Sequence, residues 1–258
     1  MSSFITNQGT KLKSSILSHI ESTSQKGAKM LSVLVDPDKI SQSQLGQLAK
    51  KANDSNVDFI FIGGSLLIND QFKNAVQTLR QESEIPLVIF PGNTLQIDEV
   101  ADAILFLSLI SGRNAELLIG NHVVAAPMLK HKKIEVIPTG YMLIDGGVQT
   151  TVQYMSNTSP IPAHKSDIAV CTAMAGQMLG LRLIFMDAGS GATNPVSADM
   201  IKEVKSSLKI PLIVGGGIRN PEQAYNNCKA GADVLVVGNA IEKDPSLIKE
   251  MAAAVHAV

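Results

Sequence analysis

The segment PLIVGGGIRNPEQAYNNCKAGADVLVVGNA, residues 211–240, carries the pattern that decides the fold. Two short apolar runs, Pro211–Val214 and Asp233–Val237, flank a segment of helical period at Pro221–Lys229. The first apolar run ends in three glycines, Gly215–Gly217. A strand, a helix and a second strand in this order form a βαβ unit, which is the building block of parallel sheets.

The same alternation extends outward from this segment and begins at Met30. The apolar runs are nearly continuous, as expected for parallel strands that are covered on both faces. Eight strands are predicted, at Met30–Val35, Val57–Ile62, Pro86–Phe90, Asp102–Ser108, Ile134–Pro138, Arg182–Met186, Pro211–Val214 and Asp233–Val237. Seven helices are predicted, at about Ser43–Asn53, Ser65–Arg80, Ala115–Leu129, Lys165–Leu179, Ala198–Leu208, Pro221–Lys229 and Ser246–Val255.

Strict alternation without a Pro- or Ser-rich linker favours an α/β fold, a (β/α)8 TIM barrel that spans residues 1–258 as one domain. Only Pro91–Ala101 separate the third strand from the fourth, so one barrel helix should be shortened or missing there. Residues 1–29 form an N-terminal extension that is predicted to be helical and to cap the barrel. Its apolar residues fall at helical spacing, namely Leu12, Ile16, Leu17 and Ile20.

An open, doubly wound sheet is the alternative architecture. Its usual signature, G-x-G-x-x-G after the first strand, is replaced here by Asp36-Pro37-Asp38-Lys39. The barrel therefore remains the favoured fold.

Composition excludes several classes of protein. Lys plus Arg number 22 against 23 Asp plus Glu, so the chain has no basic excess and we expect no nucleic-acid partner. The longest apolar stretch, Ile104–Ile110, is far shorter than the roughly 20 residues that span a bilayer. We therefore predict a cytoplasmic protein without a transmembrane segment. Cys171 and Cys228 are predicted to be reduced core thiols, and all five histidines are expected at the surface.

The glycines that follow strands seven and eight predict a phosphate site. Active sites of barrels lie at the C-terminal ends of the strands, and the loops after strands seven and eight commonly bind phosphate. Gly215–Gly217 follow strand seven, and Gly238 and Asn239 follow strand eight. Positions without side chains let backbone N–H groups close around an anion. Tight turns are the alternative explanation for these glycines.

Strand six brings a carboxylate to the same end of the barrel. Asp187 ends the strand and is followed by a loop of small residues. It is the best candidate for a general base, because it could accept a proton from an alcohol that the phosphate site holds. A role as a helix N-cap is the alternative, but the next helix is predicted to begin only around Ser197.

Strands one and two end in oxygen-bearing side chains. Asp36 follows strand one, with Asp38 two residues on, and Ser65 follows strand two. Carboxylate and hydroxyl oxygens are ligands that Mg²⁺ uses together with substrate phosphates and water. A turn at Asp36-Pro37 and a helix N-cap at Ser65 remain open as alternatives. The sequence contains no zinc-type H-x-x-x-H pair, no nucleotide-binding P-loop and no G-x-S-x-G motif.

Taken together, the motifs resemble the geranylgeranylglyceryl phosphate synthase family, the barrel prenyltransferases that form the first ether bond of archaeal-type lipids. The resemblance extends from about Met30 to Val258. Eight motifs carry it: Leu34-Val35-Asp36-Pro37-Asp38-Lys39, Phe61-Ile62-Gly63-Gly64-Ser65, Phe90-Pro91-Gly92-Asn93, Ser111-Gly112-Arg113-Asn114, Pro138-Thr139-Gly140-Tyr141, Asp187-Ala188-Gly189-Ser190-Gly191, Gly215-Gly216-Gly217-Ile218-Arg219 and Gly238-Asn239.

The resemblance implies a set of ligands for these motifs. It implies Mg²⁺ at Asp36 and Ser65, and a homo-oligomeric protein. Phe185 stands where the family often has Tyr, and Asp187 where it often has Glu, which shortens the base by one methylene. The implied site for sn-glycerol 1-phosphate consists of Phe185, Met186, Asp187, Ala188, Gly189, Ser190, Gly191, Gly216, Gly217, Gly238 and Asn239.

The residues and the resemblance converge on one reaction. The C3 hydroxyl of sn-glycerol 1-phosphate attacks an allylic prenyl diphosphate, with geranylgeranyl as the expected chain, while Asp187 accepts the proton. We expect an aliphatic groove for the prenyl chain, a closing segment within Thr139–Lys165, and transient membrane contact as the lipid product leaves. A phosphate-binding isomerase or lyase and a non-catalytic phosphate-binding protein remain the alternatives.

Overall fold

The computed structural model describes residues 15–258, whose strands form a closed, all-parallel barrel. Each strand pairs with the next in sequence, and the first pairs with the eighth. The strands are β1 Met30–Val35, β2 Phe59–Ile62, β3 Leu87–Ile89, β4 Ala103–Leu109, β5 Glu135–Leu143, β6 Leu183–Asp187, β7 Leu212–Gly215 and β8 Val234–Val237. The predicted TIM barrel is confirmed.

One helix precedes the first strand in the described residues, and helices follow most of the strands. In chain order the helices are α1 Ile16–Gln25, α2 Gln42–Asp54, α3 Phe72–Glu82, α4 Asn121–Lys130, α5 Thr151–Ser156, α6 Ser166–Met178, α7 Ala198–Ser206, α8 Pro221–Ala230, α9 Asn239–Lys243 and α10 Leu247–His256. A π-helical turn, Glu116–Gly120, precedes α4. Residues 90–102, all of them described, contain no helix between β3 and β4, as predicted. Within residues 15–258, no helix is long and apolar enough to cross a membrane.

The alternation of side chains along the strands builds two apolar layers. In β2, Phe59 and Phe61 belong to the cluster that fills the barrel, whereas Ile60 and Ile62 belong to the cluster between the strands and the outer helices. The barrel interior is therefore packed with side chains, as is usual for this fold. Ligands must bind at the ends of the strands.

Helix α1 packs against the barrel interior. Its Ile16 and Ile20 join the inner cluster together with Met30. The Glu135 carboxylate, at the start of β5, accepts hydrogen bonds from the backbone N–H groups of Ile16 (2.6 Å) and Leu17 (3.1 Å). These donors have no partner within the helix, and a carboxylate suits the positive end of the helix dipole. The capping helix is thus confirmed over Ile16–Gln25. Leu12 of the predicted pattern lies outside the described residues.

Strand β5 is longer than predicted. It continues to Leu143, five residues past Pro138, where the predicted strand ends. The Pro138 carbonyl still accepts a hydrogen bond from the Arg182 N–H at 2.8 Å, so the pairing with β6 continues. Tyr141 consequently lies in the strand and in the inner cluster, instead of in the predicted insertion Thr139–Lys165.

The helix after β2 is shorter than predicted. It begins at Phe72 instead of Ser65, because the Asp38 carboxylate accepts hydrogen bonds from the backbone N–H groups of Ile68 and Asn69. These bonds hold the preceding segment as a loop. Ser65 is therefore not the N-cap of a helix.

The two cysteines differ in environment. Cys228 is buried in the outer cluster, where burial raises the pKa of its thiol to about 12. Cys171 is exposed on α6, so the prediction that both are core thiols is wrong for Cys171. The apolar helix suggested burial, but Cys171 lies on the face that points away from the barrel.

Candidate active site

The C-terminal ends of the strands open into a cavity of about 580 Å³, called here the polar cavity. Its wall contains the loops that the sequence singled out: Phe185, Asp187, Gly189, Ser190, Gly191, Gly216, Gly217, Gly238 and Asn239. Met186 and Ala188 do not line it. Their side chains pack in the outer cluster, because alternate residues of a strand face opposite sides of the sheet.

Asp187 is the last residue of β6, and its side chain is almost completely buried. Its Oδ1 accepts a hydrogen bond from the Gly189 N–H at 2.7 Å, and its Oδ2 accepts one from the Tyr141 hydroxyl at 2.6 Å. Burial raises the pKa of Asp187, and the two hydrogen bonds oppose that rise because they favour the ionised form. A carboxylate with a raised pKa accepts protons more readily than an exposed aspartate.

The loop after β7 can come close to Asp187 because it contains glycine. Gly216 and Gly217 have φ values of +82° and +72°, in the left-handed region. A β-carbon on Gly217 would lie 2.8 Å from the backbone of Asn194, so this close packing leaves no room for a side chain. The loops after β6 and β7 therefore form a narrow cradle of backbone atoms.

Side chains connect the loops around the polar cavity. The Ser190 hydroxyl donates to Asn239 Oδ1 at 3.0 Å, which joins the loop after β6 to the start of α9. Lys39 Nζ lies 3.4 Å from Ser190 Oγ, which connects the same loop to the segment after β1. The loops after β6 and β8 thus meet beside the Lys39 ammonium group.

Asp36 lines the polar cavity together with Ser65. Its Oδ2 lies 2.8 Å from Lys39 Nζ, and its Oδ1 accepts a hydrogen bond from the Asp38 N–H at 3.1 Å. The Asp36 N–H donates to Glu242, whose carboxyl pKa is raised mainly by burial. Residues 15–258 contain no cluster of three or more His, Cys, Asp or Glu side chains suited to a metal. Any cation here would rely on Asp36, Ser65 and substrate oxygens.

A second cavity of about 320 Å³, called here the apolar groove, adjoins the polar cavity. It lies beside β4 and α4, where the helix between β3 and β4 is missing. Its walls are mainly apolar and include Ile97, Ile104, Phe106, Leu107, Leu117, Ala125 and Leu129. Ser65, Phe90, Tyr141 and Val152 line both cavities, so the two are continuous at these residues.

His122 is part of the groove wall, so the expectation that all histidines lie at the surface is wrong for this one. Its ring contacts Phe106 edge-on, with centroids 4.4 Å apart, and its Nε2 lies 3.3 Å from Ser108 Oγ. Burial lowers the pKa of His122 and favours the neutral ring. Its spacing to Ala125 and Leu129 along α4 is the signal that could have shown its burial.

Three aromatic rings meet at the junction of the two cavities. Phe90 and Phe185 are stacked with centroids 5.1 Å apart, and Tyr141 contacts both rings edge-on at 5.8 and 5.6 Å. Burial and the neighbouring Asp187 charge raise the pKa of Tyr141 well above its usual value. Tyr141 was not among the predicted site residues. The alternation Ile137, Thr139, Tyr141 along β5 could have identified it as inward-facing.

The fold and the cavities define a class of protein, a TIM-barrel enzyme in which a glycine-lined polar cavity adjoins an apolar groove at the C-terminal ends of the strands. The sequence profile of the PcrB family matches residues 26–256. The chain belongs to the PcrB family.

Several proteins named geranylgeranylglyceryl phosphate synthase are similar to this chain over most of their length. The geranylgeranylglyceryl phosphate synthase of Chitinophaga pinensis is 58% identical over 232 residues, which cover 90% of this chain and 92% of that protein. The synthase of the same name from Thermococcus kodakarensis is 43% identical over 222 residues, 86% of this chain and 87% of that protein.

A solved structure shares the fold closely. The (S)-3-O-geranylgeranylglyceryl phosphate synthase of Thermoplasma acidophilum, in complex with sn-glycerol-1-phosphate, has a TM-score of 0.90 and 33% sequence identity. The match covers 95% of this chain and 99% of that one.

Proposed function

We propose that this chain is a prenyltransferase that joins geranylgeranyl diphosphate to the C3 hydroxyl of sn-glycerol 1-phosphate and releases diphosphate. The observation that carries the proposal is the junction of the glycine-lined polar cavity with the apolar groove, with the Asp187–Tyr141 pair in between. One cavity suits a small phosphate ester and the other suits a hydrocarbon chain. The similarity to synthases of this name supports the assignment.

In this proposal, glycerol phosphate occupies the polar cavity. The glycines of the loops after β6, β7 and β8 receive the phosphate, since their backbones can approach an anion closely. The glycerol hydroxyls then point toward Asp187, which lies beside Tyr141 at the junction with the apolar groove. The prenyl chain lies in the apolar groove, with its reacting end at Phe90 and Tyr141.

The reaction is a substitution at the first carbon of the prenyl chain. A bond forms between that carbon and the C3 oxygen of glycerol, and the bond to the diphosphate oxygen breaks with its electron pair leaving on diphosphate. The hydroxyl proton passes to the Asp187 carboxylate. The raised pKa of Asp187 makes it a stronger acceptor for this proton.

We propose that Asp36 and Ser65 hold Mg²⁺. Both line the polar cavity, and hard oxygen donors of this kind fit the ion when substrate oxygens complete its shell. When bound, Mg²⁺ supplies charge that stabilises the departing diphosphate. Lys39, 2.8 Å from Asp36, adds a second positive charge to the same wall.

The segment after β5 can shield the reacting centre from water. Its helix α5 contributes Thr151 and Val152 to the polar cavity, and Val152 and Met155 to the apolar groove. A carbocation-like centre must be kept from water, which would otherwise trap it. We propose that movement of this segment admits and releases the substrates.

Product analysis tests the proposed function directly. The protein is incubated with Mg²⁺, isotope-labelled sn-glycerol 1-phosphate and C15, C20 or C35 prenyl diphosphates, and the products are identified by mass spectrometry. We expect labelled prenylglyceryl phosphate, formed fastest from the C20 donor. An isomerase, a lyase or a non-catalytic protein would leave the label unprenylated, and that result would overturn the proposal.

We also propose that the protein is a homo-oligomer. The outer faces of α4 and α6 support this, because no Asp, Glu, Lys or Arg occurs over 121–129 or 168–180. Several large apolar side chains are exposed there, among them Val123, Val124, Met128, Ile168, Met178 and Leu179. Exposed apolar side chains that cluster on the outer face of a helix commonly mark an interface. A cytoplasmic location and transient membrane contact stay predictions.

Light scattering after size-exclusion chromatography tests the oligomeric state. The wild-type protein should have at least twice the monomer mass, and Val123→Glu should shift it toward the monomer. Val148→Glu, at another exposed valine, serves as the matched control and should not. A monomeric wild-type protein would contradict the proposal.

A further inference from the structure

We propose that Tyr141 is a positioning residue for Asp187, and that its hydroxyl fixes the carboxylate in the orientation in which it accepts the glycerol proton. The inference rests on the proposed function and adds a residue to it. It derives from the buried hydrogen bond between the two side chains, whose donor and acceptor atoms are 2.6 Å apart.

The strand register places Tyr141 on the strand next to Asp187, two residues closer to the N-terminal end of the barrel. Tyr141 on β5 lies opposite Phe185 on β6, and Leu143 lies opposite Asp187. The tyrosine ring therefore stands inside the barrel one inward-facing position below Asp187, and its hydroxyl reaches upward to Oδ2. With Gly189 bonded to Oδ1, both oxygens are held. A carboxylate has about four acceptor positions, so positions remain for the substrate hydroxyl.

The tyrosine is itself held in place. Its side chain is buried, and its ring contacts Phe90 and Phe185 edge-on. Neither phenylalanine has a hydroxyl that could replace the one on Tyr141. Removing that hydroxyl leaves the carboxylate of Asp187 with the hydrogen bond from the Gly189 N–H at Oδ1 and no hydrogen bond from Tyr141 at Oδ2. The carboxylate could then rotate away from the glycerol site.

The pKa of Asp187 depends on the same hydrogen bond from Tyr141. The hydrogen bond from Tyr141 favours the ionised carboxylate and lowers the pKa of Asp187, against the larger effect of burial. The glycines after β7 bring no ionisable side chain to Asp187. The other charged residues that line the polar cavity are Asp36, Lys39, Arg219, Glu242, Lys243 and Asp244. They are the same in a Tyr141 variant, so a shifted pKa would come from the lost hydroxyl.

The test is Tyr141→Phe, with Tyr154→Phe as the matched control on the exposed side chain of Tyr154. We expect kcat to fall roughly 10- to 100-fold in Tyr141→Phe, as for the loss of one hydrogen bond to a charged group. The Kd for sn-glycerol 1-phosphate, from calorimetry, should change less than twofold. The acidic limb of the pH–rate profile should move to higher pH, because the pKa of Asp187 rises. Tyr154→Phe should change none of these.

Carboxyl ¹³C resonances give a second readout that does not need turnover. Titration of protein with labelled aspartate, with the Asp187 signal assigned by its loss in Asp187→Asn, should show a higher pKa in Tyr141→Phe. Incorporation of 3-fluorotyrosine, a more acidic donor, should lower it and keeps the ring in place. If the wild-type protein formed no ether product, the proposed function would be overturned, but the effect of Tyr141 on the pKa of Asp187 would still be measurable. Near-native kcat with an unchanged Asp187 titration, or a loss confined to glycerol phosphate affinity, would overturn the role of Tyr141.

Discussion

Gly216 and Asp187 are in such close contact that a β-carbon on residue 216 would lie 2.5 Å from Asp187 Oδ1. The same carbon would lie 2.6 Å from the backbone nitrogen of Gly189. The loop that is proposed to bind phosphate and the proposed base are therefore one packed unit. A change in either should disturb the other.

Substitution Gly216→Ala tests this coupling. We expect at least tenfold weaker binding of sn-glycerol 1-phosphate and a lower kcat, because the methyl group must displace Asp187 or the Gly189 backbone. Gly180→Ala is the control. Gly180 also has a positive φ, +91°, but a β-carbon there would meet nothing within 4 Å. Calorimetry and steady-state kinetics measure the two effects, and equal losses in both variants would show that backbone strain alone is responsible.

The proposed enzyme should discriminate between the enantiomers of glycerol phosphate. A phosphate held by Gly216, Gly217 and Gly238 leaves one arrangement of the glycerol carbons that brings a hydroxyl to Asp187. We expect kcat/KM for sn-glycerol 1-phosphate to exceed that for the 3-phosphate by about 100-fold or more, the discrimination that a misplaced reacting group can cause. Similar values for both enantiomers would contradict this geometry.

Substitution Asp36→Ala tests the proposed Mg²⁺ site. The ion would lose its carboxylate ligand, so the Mg²⁺ concentration for half-maximal turnover should rise about tenfold or more. Asp54→Ala, at an exposed position near the end of α2, serves as the control. Titration of activity with Mg²⁺ compares the variants. Should Asp36→Ala follow the wild-type curve, the ion must bind elsewhere.

The strand ends and their glycines could be predicted because local sequence determines them. Apolar runs fix the strands, and Gly216 and Gly238 mark the loops that follow. Tyr141 was missed because the fifth apolar run was predicted to end at Pro138, whereas pairing with β4 and β6 extends the strand five residues further. Long-range pairing of this kind outweighs a local signal.

The groove could not be predicted residue by residue. Sequence spacing showed that a helix between β3 and β4 is missing, but not which side chains line the space that it leaves. Leu105 faces the barrel interior and Ile104 the outer cluster, yet both line the groove, so an apolar pattern along β4 does not separate groove from core. His122 was misjudged although its spacing to Ala125 and Leu129 along α4 placed it on the buried face of that helix.

Asp187 should reduce stability when it is ionised. Because folding raises its pKa, the penalty is absent at pH below the unfolded value and grows as the pH rises toward the folded value. Asp187→Asn removes the charge; its Oδ1 still accepts from the Gly189 N–H, and its amide group donates to the Tyr141 hydroxyl, which then acts as the acceptor. At pH 7 its Tm should exceed that of the wild type, by about 2–4 °C for each kcal/mol gained in the free energy of unfolding. This difference in Tm should shrink toward acidic pH. Calorimetric melts at several pH values would show a constant or reversed difference if this were wrong.

Asp187→Asn tests at once whether Asp187 takes the proton and whether the glycine loops hold the phosphate. Steady-state kinetics with geranylgeranyl diphosphate and varied sn-glycerol 1-phosphate should show kcat reduced about 10²–10⁴-fold, as for the loss of a general base. Calorimetry should show the Kd for glycerol phosphate nearly unchanged. A small loss in kcat together with a large loss in affinity would contradict proton transfer to Asp187 and make Asp187 a binding residue.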